Sequence, residues 1–217
     1  MKSTIFAEEF RRTGVVLVVR LSSSAHLDQV AQAASDAGVR FMEVTSNTPG
    51  GMDWIRSQGE RSDGLVLGVG TVTDDATADA ALDAGAEFLV APHVDAEAIR
   101  AAIARDVAYV PGALTPTEVL EAVRAGAPAV KLFPLTQLGA GYVRDLLGPY
   151  PEAPLVPIGG ITEENAATFI EAGAVGVGVG AAFVSDAIVA EGDWGRMRDR
   201  FAELLERVST AKSKNIR

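Results

Sequence analysis

The chain has 217 residues with 19 basic and 29 acidic side chains, a formal charge of −10 that repels nucleic acid and anionic membrane surfaces and suits a freely diffusing protein. It has no cysteine, which excludes disulfides, thiol catalysis and thiolate metal sites. No apolar run is long enough to span a bilayer and the first ten residues carry acids where a secretory signal would be apolar, so the cytoplasm is the expected compartment; nothing reads as an interdomain linker, and residues 1–217 are expected to form a single domain.

Ile5 to Arg12 reads as an opening helix. Val15 to Val19 is the first apolar strand, ending in Arg20 and followed by the helix-start residues Ser22-Ser23-Ser24. Ala37-Gly38 closes a helical pattern and leads to the second strand, Phe41-Met42-Glu43-Val44. The third, Leu65 to Val69, ends in Gly68-Val69-Gly70-Thr71 ahead of Thr73-Asp74-Asp75. Ala84-Gly85 introduces the fourth, Phe88-Leu89-Val90, which runs to Pro92 and His93. Val107 to Val110 is the fifth, followed by Thr115-Pro116-Thr117-Glu118, a capping box with Pro at the first helical position. Ala125-Gly126 precedes the sixth, Ala129 to Phe133. Leu155 to Ile158 is the seventh, with helix-start chemistry in Thr162-Glu163-Glu164-Asn165, and Ala172-Gly173 leads into the eighth, Val175 to Val179. Trp194 to Val208, after Asp193, reads as a closing helix.

Gly past a helix end takes the left-handed backbone without a Cβ clash, so the four Ala-Gly pairs, recurring at near-regular intervals, mark helix-to-strand joints. Strands rich in Val, Ile and Leu that alternate with helices predict a parallel sheet covered on both faces. Eight such units close into a barrel, so the expected fold is α/β, a (β/α)8 TIM barrel with an extra N-terminal helix. An open doubly wound sheet is the alternative. The opening and closing helices would cover the barrel floor or pack against its side.

Lys131 lies inside the sixth strand, in Val130-Lys131-Leu132-Phe133-Pro134. An isolated buried ammonium costs on the order of several kcal/mol unless it is paired or loses its proton, and a desolvated amine is a nucleophile near neutral pH. That pattern points to Schiff-base chemistry. Side chains alternate along a strand, so if Lys131 points into the lumen, Ala129 and Phe133 do too while Val130 and Leu132 meet the helices, and the same reading of the second strand puts Phe41, Glu43 and Thr45 inside with Met42 and Val44 outside. Barrels do their chemistry at the C-terminal strand ends, where Arg20 and the Thr71 hydroxyl also arrive, Thr71 doubling as a helix-entry residue. A structural ion pair is the plain alternative for Lys131 and Glu43, and a rim salt bridge for Arg20. His26, in the first helix, and His93 do not make a metal site; no metal and no cofactor are expected.

Pro157-Ile158-Gly159-Gly160-Ile161 and Gly176-Val177-Gly178-Val179-Gly180-Ala181-Ala182 follow the seventh and eighth strands, where bare amides and a helix N-terminus commonly hold phosphate. Tight strand-to-helix packing is the structural alternative. The run is not a dinucleotide fingerprint, because no βαβ unit with a downstream acid follows it.

The segments Gly38 to Thr45, Gly68 to Val72, Val110 to Ala113, Val130 to Pro134 and Pro157 to Thr162 resemble the 2-keto-3-deoxy-6-phosphogluconate (KDPG) / 4-hydroxy-2-oxoglutarate aldolase family over about residues 13 to 185. Asn47-Thr48-Pro49 resembles its 2-keto-3-deoxy-6-phosphogalactonate (KDPGal) branch. The resemblance implies a class I aldolase, an aldehyde-lyase cleaving a 2-keto-3-deoxy-6-phospho sugar acid or 4-hydroxy-2-oxo acid to pyruvate and an aldehyde, assembled as a homotrimer. It implies a Schiff base on Lys131 and proton transfer by Glu43, often through a water. Substrate binding is expected at Arg20, Asn47, Thr71, Pro92, Phe133, Gly159, Gly160, Gly180 and Ala181, with Phe133 and Pro92 shielding the imine. Two residues depart from the family pattern. Asn47 stands where gluconate-type enzymes hold the substrate carboxylate with an arginine, which passes that role to Arg20 with Thr71 and nearby backbone amides. Ala181 stands where relatives place a phosphate-binding serine, which leaves the phosphate to backbone amides. The competing functions are a phosphosugar isomerase or epimerase, in which Lys131 is a charged electrophile, and a ligand-binding barrel with lost catalysis.

Overall fold

The computed structural model describes residues 3–59 and 61–215, so the domain expected over 1–217 includes Met1, Lys2, Glu60, Ile216 and Arg217, which lie outside the described residues. The apolar runs form parallel strands: β1 (Val15–Val19), β2 (Phe41–Thr45), β3 (Val66–Gly70), β4 (Phe88–Val90), β5 (Ala108–Val110), β6 (Gly112–Ala113), β7 (Val130–Leu132), β8 (Leu155–Pro157) and β9 (Val177–Val179). Between and around them lie α1 (Ser3–Thr13), α2 (Leu27–Ala37), α3 (Gly51–Gln58), α4 (Asp75–Asp83), α5 (Ala96–Ala104), α6 (Pro116–Ala125), α7 (Gly139–Leu147), α8 (Ala166–Glu171), α9 (Asp186–Glu191) and α10 (Trp194–Asn215).

The strands pair in the orders β5-β4-β3-β2-β1-β9 and β6-β7-β8. Two junctions close the ring. Pro111, which has no N–H, divides the fifth strand into β5 and β6, and its carbonyl accepts from Lys131 N at 2.8 Å, so the ladder carries on to β7. On the other side Ile158 bridges Gly178 in parallel and Val175 N donates to Leu155 O at 3.0 Å. The result is the (β/α)8 barrel, with β1 held between β2 and β9. An open doubly wound sheet does not have this closure. The later strands are shorter than their apolar runs, because apolar patterning reports burial and burial continues past the last ladder bond.

Strand alternation sorts the core into two shells. Val16, Phe41, Val66, Phe88, Val90, Ala108, Val110, Ala129, Val156 and Ile158 fill the lumen, while Leu17, Met42, Val44, Leu67, Leu89, Val130, Leu132 and Val177 meet the helices. The parity expected for Phe41, Met42 and Val44 is the one observed. The opening helix α1 plugs the floor with Phe6 and Phe10, whose ring centroids lie 4.9 and 5.7 Å from that of Phe41, and Phe6 lies 5.3 Å from Phe88. Each buried ring contributes about 1.5–3 kcal/mol by leaving water, before conformational costs. The closing helix packs along the side, against α2 and α8.

The Thr115 capping box forms as expected, and Asp74 caps α4 by accepting from Thr77 N. Four local expectations are corrected. The serines do not cap α2, which starts at Leu27, so His26 precedes the helix; Ser22 instead donates through N and Oγ to Asp186 Oδ1, each at 2.9 Å. Thr71 is not a helix-entry residue, since Asp74 takes that role. Asn165, not Thr162, adjoins α8, and its Oδ1 accepts from Thr162 N. The closing helix runs beyond Val208 to Asn215. No described helix is long and apolar enough to cross a membrane.

Candidate active site

Among the described residues, the buried polar or charged side chains are Glu43, Thr45, Thr48 and Lys131, of which Glu43 and Lys131 are the two ionisable ones. They come from β2 and β7, and the barrel brings Lys131 Nζ to 4.0 Å from Glu43 Oε1. That distance is the outer limit of an ion pair and too long for a hydrogen bond. Both carboxylate oxygens of Glu43 are buried without a hydrogen-bond partner. Burial therefore dominates its acidity: desolvation raises the Glu43 pKa more than the charges of Lys131 and Arg20 lower it. The carboxyl fits because β3 offers Gly70 opposite it; a Cβ there would lie 2.7 Å from the Glu43 carboxyl carbon. Lys131 Nζ lies 5.1 Å from the centroid of the Phe133 ring, a cation–π approach that covers one side of the amine. The half-buried Phe133 packs against the inner core.

At the mouth, the exposed Arg20 donates from Nη2 to Thr71 Oγ1 at 3.2 Å, so the two residues assigned to a carboxylate do meet. Thr71 has φ of 60°, left-handed backbone that a β-branched residue rarely takes and that costs on the order of 1–3 kcal/mol. Neighbouring bonds hold it there: Ser46 Oγ donates to Thr71 O at 2.8 Å, and Ser46 N to Gly70 O at 2.7 Å. Thr45 and Thr48 share a hydroxyl bond of 3.0 Å, and Leu21 N donates to Thr48 Oγ1 at 3.4 Å, which ties the loop after β1 to the loop after β2. Sequence reasoning passed over Ser46 and used Thr48 only within Asn47-Thr48-Pro49, with no role of its own; the signal for both is that small hydroxyl residues cluster just past β2. Asn47 is exposed on that loop and lines a shallow cavity of about 210 Å³ with Ser46, Thr48 and Pro49. Pro92 is half-buried with its carbonyl against Gly112, where a Cβ would come within 2.5 Å of the oxygen.

The glycine loops emerge from β8 and β9, which touch closely enough that a Cβ on Gly178 would lie 2.5 Å from Ile158. Gly159 and Gly160 have φ of 106° and 71°, so this turn needs residues without a side chain. Gly159 and Gly180 are half-buried, and Gly160 and Ala181 are exposed. A cavity of about 730 Å³ lies elsewhere, on the outer wall beside α3 and α4, lined by Ile55, Arg56, Arg61 and Leu82 among others. Neither Lys131 nor Glu43 lines that cavity.

The family model described as KDPG and KHG aldolase matches residues 6–199. The 2-dehydro-3-deoxy-phosphogluconate aldolase of Pseudomonas aeruginosa is 31% identical over 198 residues, 91% of this chain and 90% of that protein. The 2-dehydro-3-deoxy-6-phosphogalactonate aldolase of Escherichia coli K12 is 34% identical over 153 residues, 68% of this chain and 73% of that protein. A solved structure described as native KDPGal superposes with a TM-score of 0.82 at 27% identity, covering 91% of this chain and 96% of that one.

Proposed function

This chain belongs to the KDPG and KHG aldolase family, and on that premise we propose that it is a class I aldolase releasing pyruvate from a 2-keto-3-deoxy-6-phospho sugar acid or a 4-hydroxy-2-oxo acid. The observation that carries this reading is the Lys131 amine, 4.0 Å from a Glu43 carboxyl that has no hydrogen-bond partner, in a lumen filled mainly by apolar side chains.

The free amine of Lys131 attacks the C2 ketone, and loss of water leaves an iminium that accepts electrons from the breaking bond. Glu43 takes the proton of the C4 hydroxyl, directly or through a water, the C3–C4 bond breaks, and the aldehyde departs. The enamine that remains is protonated at C3 and hydrolysed, which restores Lys131 and yields pyruvate. A carboxyl whose pKa burial raises suits both halves of this cycle, since it is a stronger base when ionised and a proton donor nearer neutrality when not. Arg20, with Thr71 holding its guanidinium, receives the substrate carboxylate in the role that Asn47 cannot fill, because an amide carries no charge. Gly159, Gly160, Gly180 and Ala181 offer backbone amides to the substrate phosphate, while Phe133 and Pro92 keep stray water from the imine. The protein works as a single barrel domain, in the cytoplasm, as a homotrimer.

Pyruvate release from KDPG, KDPGal and 4-hydroxy-2-oxoglutarate tests the assignment. One of the phosphorylated acids is expected to have the highest kcat/KM. Turnover of none of the three would overturn the reading.

A further inference from the structure

Arg200 lies on α10, outside the barrel and one residue past the family match, which ends at 199. Its Nε donates to Glu163 Oε1 and its Nη2 to the carbonyl of Ala182 at 2.8 Å, while the guanidinium carbon lies 4.9 Å from the centroid of the Phe183 ring. Glu163 belongs to the loop that Gly159 and Gly160 begin, and Ala182 follows Gly180 and Ala181. One planar fork therefore joins both glycine loops, gripped on its face by an aromatic ring. The pair is poorly solvated, with side-chain exposures of 28% for Arg200 and 13% for Glu163, so its bonds are stronger than those of an open surface pair.

We propose that Arg200 is a positioning residue: it sets the spacing between the two glycine loops and thereby the preference for phosphorylated substrates, without touching the substrate. The proposal rests on the phosphate reading given above. Ala181 contributes no hydroxyl, so at its position a phosphate has backbone amides as donors, and amides stand only where their loop holds them. Charge points the same way. Glu163 would repel a phosphate dianion held by the neighbouring turn, and the guanidinium neutralises it. Lysine keeps the charge but lacks the fork that reaches both acceptors at once.

Inorganic phosphate as a competitive inhibitor of pyruvate release provides the test, alongside KM and kcat for the phosphorylated acid and for 4-hydroxy-2-oxoglutarate. In Arg200→Met the phosphate inhibition constant and the KM for the phosphorylated acid are expected to rise about tenfold, the equivalent of one charged hydrogen bond, with kcat within about twofold. The KM for 4-hydroxy-2-oxoglutarate should not move. Arg200→Lys should fall between, and it carries the test alone if the methionine variant does not fold. Phosphate inhibition equal to that of the unaltered protein, or a uniform loss of kcat on both substrates, would overturn the positioning role. An unaltered protein insensitive to phosphate would instead overturn the phosphate reading beneath it, and the proposal with it.

Discussion

The floor and the mouth of the lumen are built on the same strands and differ in what they tolerate. At the floor, Phe6, Phe10, Phe41 and Phe88 cluster with ring centroids 4.9 to 5.8 Å apart, mostly tilted or edge to face, and their contribution is burial. Two residues further along β2, on the same face, stands Glu43, with both oxygens unpartnered and its pKa raised by that same burial. On β3 the contrast recurs between two glycines: a Cβ on Gly68 would lie 2.6 Å from the Phe88 ring, and one on Gly70 would lie 2.7 Å from the Glu43 carboxyl. One end of the lumen stabilises the fold. The other holds groups that packing alone would not select, which is where function is to be sought.

The sharpest way to break this contrast is to empty each end in turn. Phe88→Ala should destabilise the protein by about 3–5 kcal/mol in urea unfolding, through lost burial and a residual cavity, with turnover per folded molecule little changed. Lys131→Ala should do the reverse, lowering pyruvate release about a thousandfold or more with the melting temperature nearly unmoved. Similar effects of both variants on stability and on turnover would erase the distinction. The glycines sharpen it at smaller scale. Gly68→Ala overpacks against an immobile ring and should cost about 1–3 kcal/mol of stability. Gly70→Ala meets the end of the Glu43 side chain first, so it should spare stability and lower kcat about tenfold by moving the carboxyl; intact kcat would remove Glu43 from the chemistry.

The smallest expected effect is a dependence on pH. Glu43 remains protonated in the folded chain at a pH where the unfolded chain, with a carboxyl near 4.5, has ionised. Its share of stability is complete below 4.5 and is lost as pH rises through the folded value. Urea unfolding across pH should therefore show the natural protein losing stability relative to Glu43→Gln as pH rises past 4.5. A constant difference between the two would mean that burial does not govern this carboxyl.

Periodicity carried much of this from the amino-acid order alone. With Lys131 taken to face inward, alternation on β2 and β7 turns Glu43 and Lys131 into one lumen, and the Ala-Gly joints place the strands that a barrel needs. What local patterns do not encode is contact between distant segments. Arg200 and Glu163 are 37 residues apart, and nothing near either announces the other. The left-handed backbone of Thr71 has no marker either, since a threonine usually signals extended structure and here the Ser46 bonds hold it otherwise. Pro111 splits the fifth strand for a reason visible in its chemistry, but the carbonyl that carries the ladder onward depends on the partner strand.

The central claim is that the Lys131 amine forms a covalent imine with a 2-oxo acid. Borohydride reduction in the presence of pyruvate, followed by peptide mass analysis, tests it most directly. One reduced pyruvyl adduct on the peptide containing Lys131, absent without pyruvate, is the expected result. A folded sample with no adduct, as an isomerase, an epimerase or a catalytically silent barrel would give, or an adduct on another lysine, would contradict it.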